Sequence, residues 1–221
     1  MAPSALVRSA SFHNVGDDGG GGGASTSASA NAEDTGVTIT TLTMDRFESF
    51  AKCHNDSFGT KVSCLCVPVA SGPDRFRSFY TKNPDRLALC GVALRASGEV
   101  VGYVQYAPFP YSDKDGLHET KEGECYVEQL SVSAGARGLG LGTRLLEWCE
   151  ARARDAGCNH MTLAVINGNR ARALYERLGY VAVEQDCVDE CCGCLFVFLL
   201  VGRPYGLCAP WGAVDMRKEL N

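Results

Sequence analysis

The sequence predicts an α/β domain, and three observations carry that prediction. Leu130–Gly157 (LSVSAGARGLGLGTRLLEWCEARARDAG) opens as a strand, passes through a glycine-rich turn and continues as an amphipathic helix. Arg86–Leu94 and Val100–Tyr106 are apolar runs joined by Ser97-Gly98-Glu99, the pattern of a hairpin. His160–Ile166 is another strand-like run, and a helical segment follows it.

Taken in order, Met1–Gly36 is rich in Gly, Ser and Ala, contains the run Gly19–Gly23 and offers little to bury. It reads as a disordered tail ahead of one domain over residues 37–221. Its first sixteen residues lack acids and hold Arg8, as a transit peptide would, but a single arginine fits an ordinary tail better. Val37–Leu42 is a β-branched strand, and Thr43 is placed to cap a helix through Met44, Phe47, Phe50 and Ala51 to about His54. Asp56–Gly72 reads as irregular and Asp74–Lys82 as a short helix. Ala107–Gly123, with Pro108, Pro110, Asp113, Asp115, Glu119 and Glu122, is longer than a hairpin needs; it reads as either a rim to a site or a solvated connection.

Glu124–Ser133 is the strand that enters the glycine turn. In the helix beyond, Leu141, Leu145, Leu146, Cys149 and Ala153 form one stripe, with Glu147, Glu150, Arg152 and Arg154 mostly off it and Gly157 as the stop. After His160–Ile166 and its helix come a strand over Tyr180–Asp186 and a final one within Gly212–Leu220.

The formal net charge is −5, of which the tail supplies −3, and no basic cluster is present, so nucleic acid is not an expected partner. No apolar run is long enough to cross a bilayer. There are twelve cysteines, but Cys90, Cys125 and Cys149 fall where small apolar residues belong. With no secretory segment, reduced thiols in a cytoplasmic protein are expected. Cys187–Pro210 places five cysteines around the apolar septet Leu195–Val201. An added strand, a zinc site and an S-acylated membrane-touching loop are the three readings, with the strand favoured because no paired Cys-x-x-Cys or nearby histidine supports a metal.

The glycine turn, Arg137-Gly138-Leu139-Gly140-Leu141-Gly142, joins a strand to a helix whose first N–H groups have no intrahelical acceptor. Such a turn suits an anion or a tight connection. No Gly-Lys-Ser/Thr follows, and no βαβ unit begins here, so neither a P-loop nor a dinucleotide-binding oxidoreductase fits.

The same six residues resemble the acyl-CoA-binding motif of the GNAT superfamily of N-acetyltransferases, Gln/Arg-x-x-Gly-x-Gly/Ala. Asn169-Arg-Ala-Arg-Ala-Leu-Tyr-Glu-Arg-Leu-Gly-Tyr180 is similar to that family's second signature. The resemblance spans roughly residues 37–186 and the last strand. It implies a mixed, mostly antiparallel sheet with flanking helices, whose two central strands splay to admit the pantetheine arm of acetyl-CoA. It implies no metal, an amine acceptor, and acetyl transfer from the thioester to that amine.

The resemblance places the donor on the backbone of Leu130, Ser131 and Val132 and on Arg137, Gly138, Leu139, Gly140, Leu141, Gly142 and Thr143. Tyr175 falls at the family's general-acid position; a phenol can protonate a departing thiolate, or the ring can pack in the core with Leu174 and Leu178. Glu128, taken to share a strand face with Leu130 and Val132, is the candidate base, with a salt-bridging role as its alternative and Tyr126 and His160 behind it. Ala164 stands where some members carry a glutamate. Gly168 stands seven residues before Tyr175, where the family often has an asparagine, so Asn167 or Asn169 would make that donor contact. A non-catalytic acyl-CoA-binding module on the same fold is the competing reading.

Overall fold

A computed structural model describes residues 36–58, 72–111, 118–183 and 213–220. The Met1–Gly36 tail up to residue 35, Cys187–Pro210 and most of the irregular stretch before residue 72 lie outside them. Seven strands form one sheet in the order β1-β2-β3-β4-β5-β7-β6: β1 Val37–Thr41, β2 Cys90–Arg95, β3 Val100–Pro108, β4 Glu124–Val132, β5 His160–Ile166, β6 Val181–Ala182 and β7 Ala213–Glu219. The β4–β5 pair is parallel and all others are antiparallel. That matches the mixed, mostly antiparallel sheet expected.

Helices α1 Phe47–Phe58, α2 Pro73–Lys82 and α3 Asp85–Ala88 are associated with one face; α4 Leu141–Asp155 and α5 Ala171–Arg177 pack on the other. On the first face Phe47, Phe50, Tyr80 and Tyr103 make an aromatic core, with Phe50 and Tyr103 rings 4.6 Å apart. On the second, the predicted α4 stripe of Leu141, Leu145, Leu146, Cys149 and Ala153 is buried against Cys125, Val127, Met161 and Leu163. Each buried leucine of that stripe contributes roughly 1.5–3 kcal/mol.

Three expectations are corrected, and a fourth is met over the part that is described. The strand read over Arg86–Leu94 begins at Cys90, because Pro84 and Asp85 start a helical turn that carries Arg86 into the interior. The first helix starts with a 3-10 turn over Met44–Arg46 and runs to Phe58; Thr43 makes no side-chain cap, and its side chain bonds Asp45 instead. The strand over Tyr180–Asp186 is described only as Val181–Ala182, with residues beyond 183 outside the described set. Glu150, read as off the buried stripe, is buried at 5 % exposure, since Lys218 of β7 reaches it at 2.6 Å.

The β4–β5 pairing creates the site. It runs from Glu124↔His160 to Val127↔Leu163 and stops. Beyond that rung β4 stays on β3 and β5 stays on β7, so the two strands part. A bulge starts the divergence: Gln105 pairs with Gln129 and Tyr106 with Val127, which leaves Glu128 as the extra residue.

Candidate functional site

A cleft of about 400 Å³ opens on the α4–α5 side of the splay. Leu130, Ser131 and Val132 of β4 form one wall; Arg137, Gly138 and Gly140 of the turn and the first residues of α4 form the floor. Arg170, Ala171, Leu174 and Arg177 of the α5 region close the third side. Among the described residues, three arginines and no acid line the cleft. The first hydrogen bond of α4 runs from Arg144 N–H to Gly140 O, so the N–H groups of Leu141, Gly142 and Thr143 lack intrahelical acceptors. They sit at the positive end of the helix dipole. Cations and dipole together make this an anion-binding cleft.

Backbone conformation explains two of the glycines. Gly138 and Gly140 have φ of +79° and +69°, a region costly for other residues, and a Cβ on either would meet nothing within 4 Å. Conformation demands glycine there, while the open space beside it leaves room for a bulky ligand. Gly142 answers a different need: a Cβ would lie 3.0 Å from Leu174 Cδ2, so glycine lets α4 and α5 approach.

Most of the sequence-nominated donor residues thus converge: Leu130, Ser131, Val132, Arg137, Gly138, Gly140, Leu141, Gly142 and Thr143 all line the cleft. Leu139 lies outside this lining and is 45 % exposed. Arg137 is anchored, its Nε donating to Val132 O at 3.2 Å. Sequence reasoning missed Arg170 and Arg177, although both lie inside the second signature, because helical phase alone did not say which α5 face meets the turn.

Gly168 has φ +84° and carries the turn itself, which suits glycine over asparagine. Asn169 is buried at 4 % exposure, and its Oδ1 accepts the Ala171 N–H at 3.0 Å. Its Nδ2 is buried without a hydrogen-bond partner among the described residues. A buried amide donor left unsatisfied costs about 1–3 kcal/mol, so a ligand acceptor there would be stabilising. Asn167 lies at the half-exposed end of the same turn.

Tyr175 is fully buried. Its ring lies 5.9 Å from that of Tyr180, and it points into the α4–α5 core while Ala171 and Leu174 of the same helix line the cleft. Glu128 is not on the face expected. Cys125 and Val127 face α4, and the bulge resets the alternation so that Leu130 and Val132 face α4 next. Glu128 therefore points to the opposite face, where Arg86 Nη1 donates to its Oε1 at 2.5 Å, with both side chains largely buried.

That opposite face is rich in polar contacts. Tyr103 Oη donates to Gln129 Oε1 at 3.0 Å and lies 2.7 Å from His54 Nδ1, so the His54 nitrogen supplies the hydrogen between them. Burial, aided by Arg75, lowers the His54 pKa to about 4. Glu124 is buried. Its Oε1 accepts from His118 Nε2 at 2.8 Å and from Thr162 Oγ1, and its Oε2 accepts the Lys121 N–H at 2.8 Å. Burial would raise its pKa, but these hydrogen bonds outweigh it and hold the carboxyl at about 2. His160, at the far end of β5 on the first rung, bonds Asn159 Oδ1 at 2.6 Å; burial, with Arg217, lowers its pKa.

The described cysteines Cys53, Cys90, Cys125, Cys149 and Cys158 are buried free thiols. Among the described residues, no helix is long and apolar enough to cross a membrane.

Comparison with known proteins places this geometry. The chain is 38% identical over 91 residues to an L-methionine sulfoximine/L-methionine sulfone acetyltransferase of Pseudomonas aeruginosa, covering 40% of this chain and 48% of that protein. It is 34% identical over 106 residues to a thialysine N-epsilon-acetyltransferase of Bos taurus, covering 45% and 58%. The chain thus spans about half the length of the curated relatives it matches. In fold it is similar to a phosphinothricin acetyltransferase from Sinorhizobium meliloti solved with acetyl-CoA, at TM-score 0.59 and 16% identity, covering 85% of this chain and 90% of that one. A ribosomal-protein-alanine N-acetyltransferase from Brucella melitensis superposes at TM-score 0.57 with 21% identity, covering 83% and 99%. The family model for the acetyltransferase (GNAT) family matches residues 52–180, more than half the chain, and the chain belongs to that family.

Proposed function

We propose that this protein transfers an acetyl group from acetyl-CoA to a primary amine. The observation that carries the reading is the cleft at the splay, where the described lining residues include three arginines, no acid and the open N-terminus of α4. The diphosphate of the donor is proposed to bind the N–H groups of Leu141, Gly142 and Thr143, with Arg137, Arg170 and Arg177 supplying charge. The pantetheine arm then runs along Leu130–Val132, whose edge toward β5 is no longer taken by strand pairing. Asn169 Nδ2 gives a donor contact at the helix entrance.

At the reacting end, Tyr175 is proposed as the acid that protonates the thiolate as it departs. Glu128 is proposed as the carboxylate that receives the acceptor's ammonium group, with Arg86 fixing its position. Holding thioester and amine together supplies a large share of the rate enhancement, because two reactants in attack geometry no longer need to meet.

The acceptor class follows from the relatives by analogy only, so the test is a screen. Acetyl-CoA-dependent thiol release should be followed with L-methionine sulfone and thialysine as amines. Release with any of them supports the reading. Donor binding with release from none would favour an acyl-CoA-binding module without turnover, a reading that the full burial of Tyr175 also supports.

A further inference from the structure

The donor cleft lies on the α4–α5 side of the sheet, so a thioester reaching through the gap presents its carbonyl to the opposite face. On that face the last paired side chains before the strands part are Tyr126 and Thr162, since Val127 and Leu163 point to α4. His118 lies flat on the Tyr126 ring, with centroids 4.0 Å apart and planes at 16°. It therefore sits over the near lip of the gap. Its Nε2 is 2.8 Å from Glu124 Oε1, and its side chain keeps 27 % exposure.

We propose that His118, oriented by Glu124, accepts the proton of the acceptor ammonium in the acetyl-transfer reaction. This rests on the acetyl-transfer reading above. Glu124 is unsuited to be the base itself: it is buried and takes hydrogens from His118, Thr162 and the Lys121 N–H. An ionised carboxylate in that position needs donors, which fixes the hydrogen of His118 on Nε2 and leaves the Nδ1 lone pair free to accept. Glu124 is accordingly a positioning residue. In the step, the ammonium gives one proton to Nδ1 and the freed nitrogen pair forms the C–N bond as the C–S bond breaks. The leaving electron pair stays on sulfur. Sulfur receives the second amine proton through Tyr175, and the proton on His118 passes to solvent.

Other charged or titratable groups on the elements packed there are Tyr126 and Glu128 on β4, the latter paired to Arg86 of α3, Lys121 on the same loop, His160 on β5, and Arg217 and Glu219 on β7. A purely structural role for His118, pinning the loop before β4 to the sheet, is the rival explanation.

His118→Gln separates the two, because glutamine keeps a donor for Glu124 and loses the base. In the full chain at saturating acetyl-CoA, with each amine of the thiol-release screen, His118→Gln should lower kcat at neutral pH by about 100-fold. It should remove the acid limb of the kcat/KM profile while acetyl-CoA affinity and Tm stay near wild type. Glu124→Gln should lower kcat less, since the glutamine still holds the ring but no longer fixes which nitrogen carries the hydrogen. Nitrogen-15 histidine spectra should show His118 with hydrogen on Nε2, a readout independent of turnover. Hydrogen on Nδ1, or a His118→Gln profile superimposable on wild type, overturns the assignment alone. Failure of the wild type to release thiol from every amine overturns the underlying reading and this assignment with it.

Discussion

At the residue scale, the site is a set of positions where the backbone leaves its ordinary path. Gly138 and Gly140 sit at positive φ, Gly168 does the same before α5, and Glu128 is the extra residue of a bulge. The glycines were legible in the sequence, because few other residues tolerate those angles. The direction of Glu128 was not: reading every second residue assumes an unbroken pleat, and one bulge inverts it. Arg86 was equally hidden, since it reads as the start of a strand but rides a helical turn to within 2.5 Å of Glu128. Tyr175 tests the chemistry at this scale. Tyr175→Phe keeps the ring against Tyr180 and deletes only the hydroxyl. It should lower kcat by roughly 10²-fold while calorimetric acetyl-CoA affinity stays within about twofold of wild type. Unchanged kcat would return Tyr175 to a packing role.

At the element scale, the positions of α4 and α5 decide whether a cleft exists. The 3.6-residue stripe of α4 identified its buried face from sequence, and the same face packs on β4 and β5. Periodicity missed Glu150, because its burial depends on Lys218, distant in sequence and adjacent only once β7 joins β5. Breaking one side of a buried pair leaves an uncompensated charge. Glu150→Ala should therefore cost about 3 kcal/mol in chemical denaturation. Replacing Glu150 and Lys218 together by Leu and Met should recover much of that loss, and no recovery would show that the pair does more than cancel its own charges. Gly142→Val addresses the α4–α5 approach: its side chain must displace Leu174, so both stability and donor affinity should fall together. A thermal scan and a donor titration on the same sample check the pairing of the two effects.

At the scale of the whole molecule, the α/β class was legible from the strand-like runs, the hairpin with its glycine and the amphipathic helix, while the mixed, mostly antiparallel sheet followed only from the resemblance carried by the two motifs. The splay was implied only by resemblance; its physical cause is the end of β4–β5 pairing at Val127↔Leu163 together with the bulge. Global stability should fall in acid in two windows. His54 is held neutral, with its pKa near 4 against 6.5 unfolded, so protonation favours the unfolded chain as pH drops from 6.5 toward 4. Glu124, near 2 against 4.5, contributes stability that is fully present above 4.5 and is lost as pH falls toward 2. That loss is on the order of 3 kcal/mol, and in Glu124→Gln the lower window should disappear from a plot of unfolding free energy against pH. The central claim is that the glycine turn holds the donor's diphosphate, and calorimetric titration of the purified chain with acetyl-CoA, with NADH as control, tests it most directly. The account predicts saturable acetyl-CoA binding with Kd between about 1 μM and 1 mM, none for NADH, and loss of binding in Gly140→Asp, which sets a carboxylate against the phosphates. Equal affinity in wild type and Gly140→Asp, or no heat in the wild type, would contradict it.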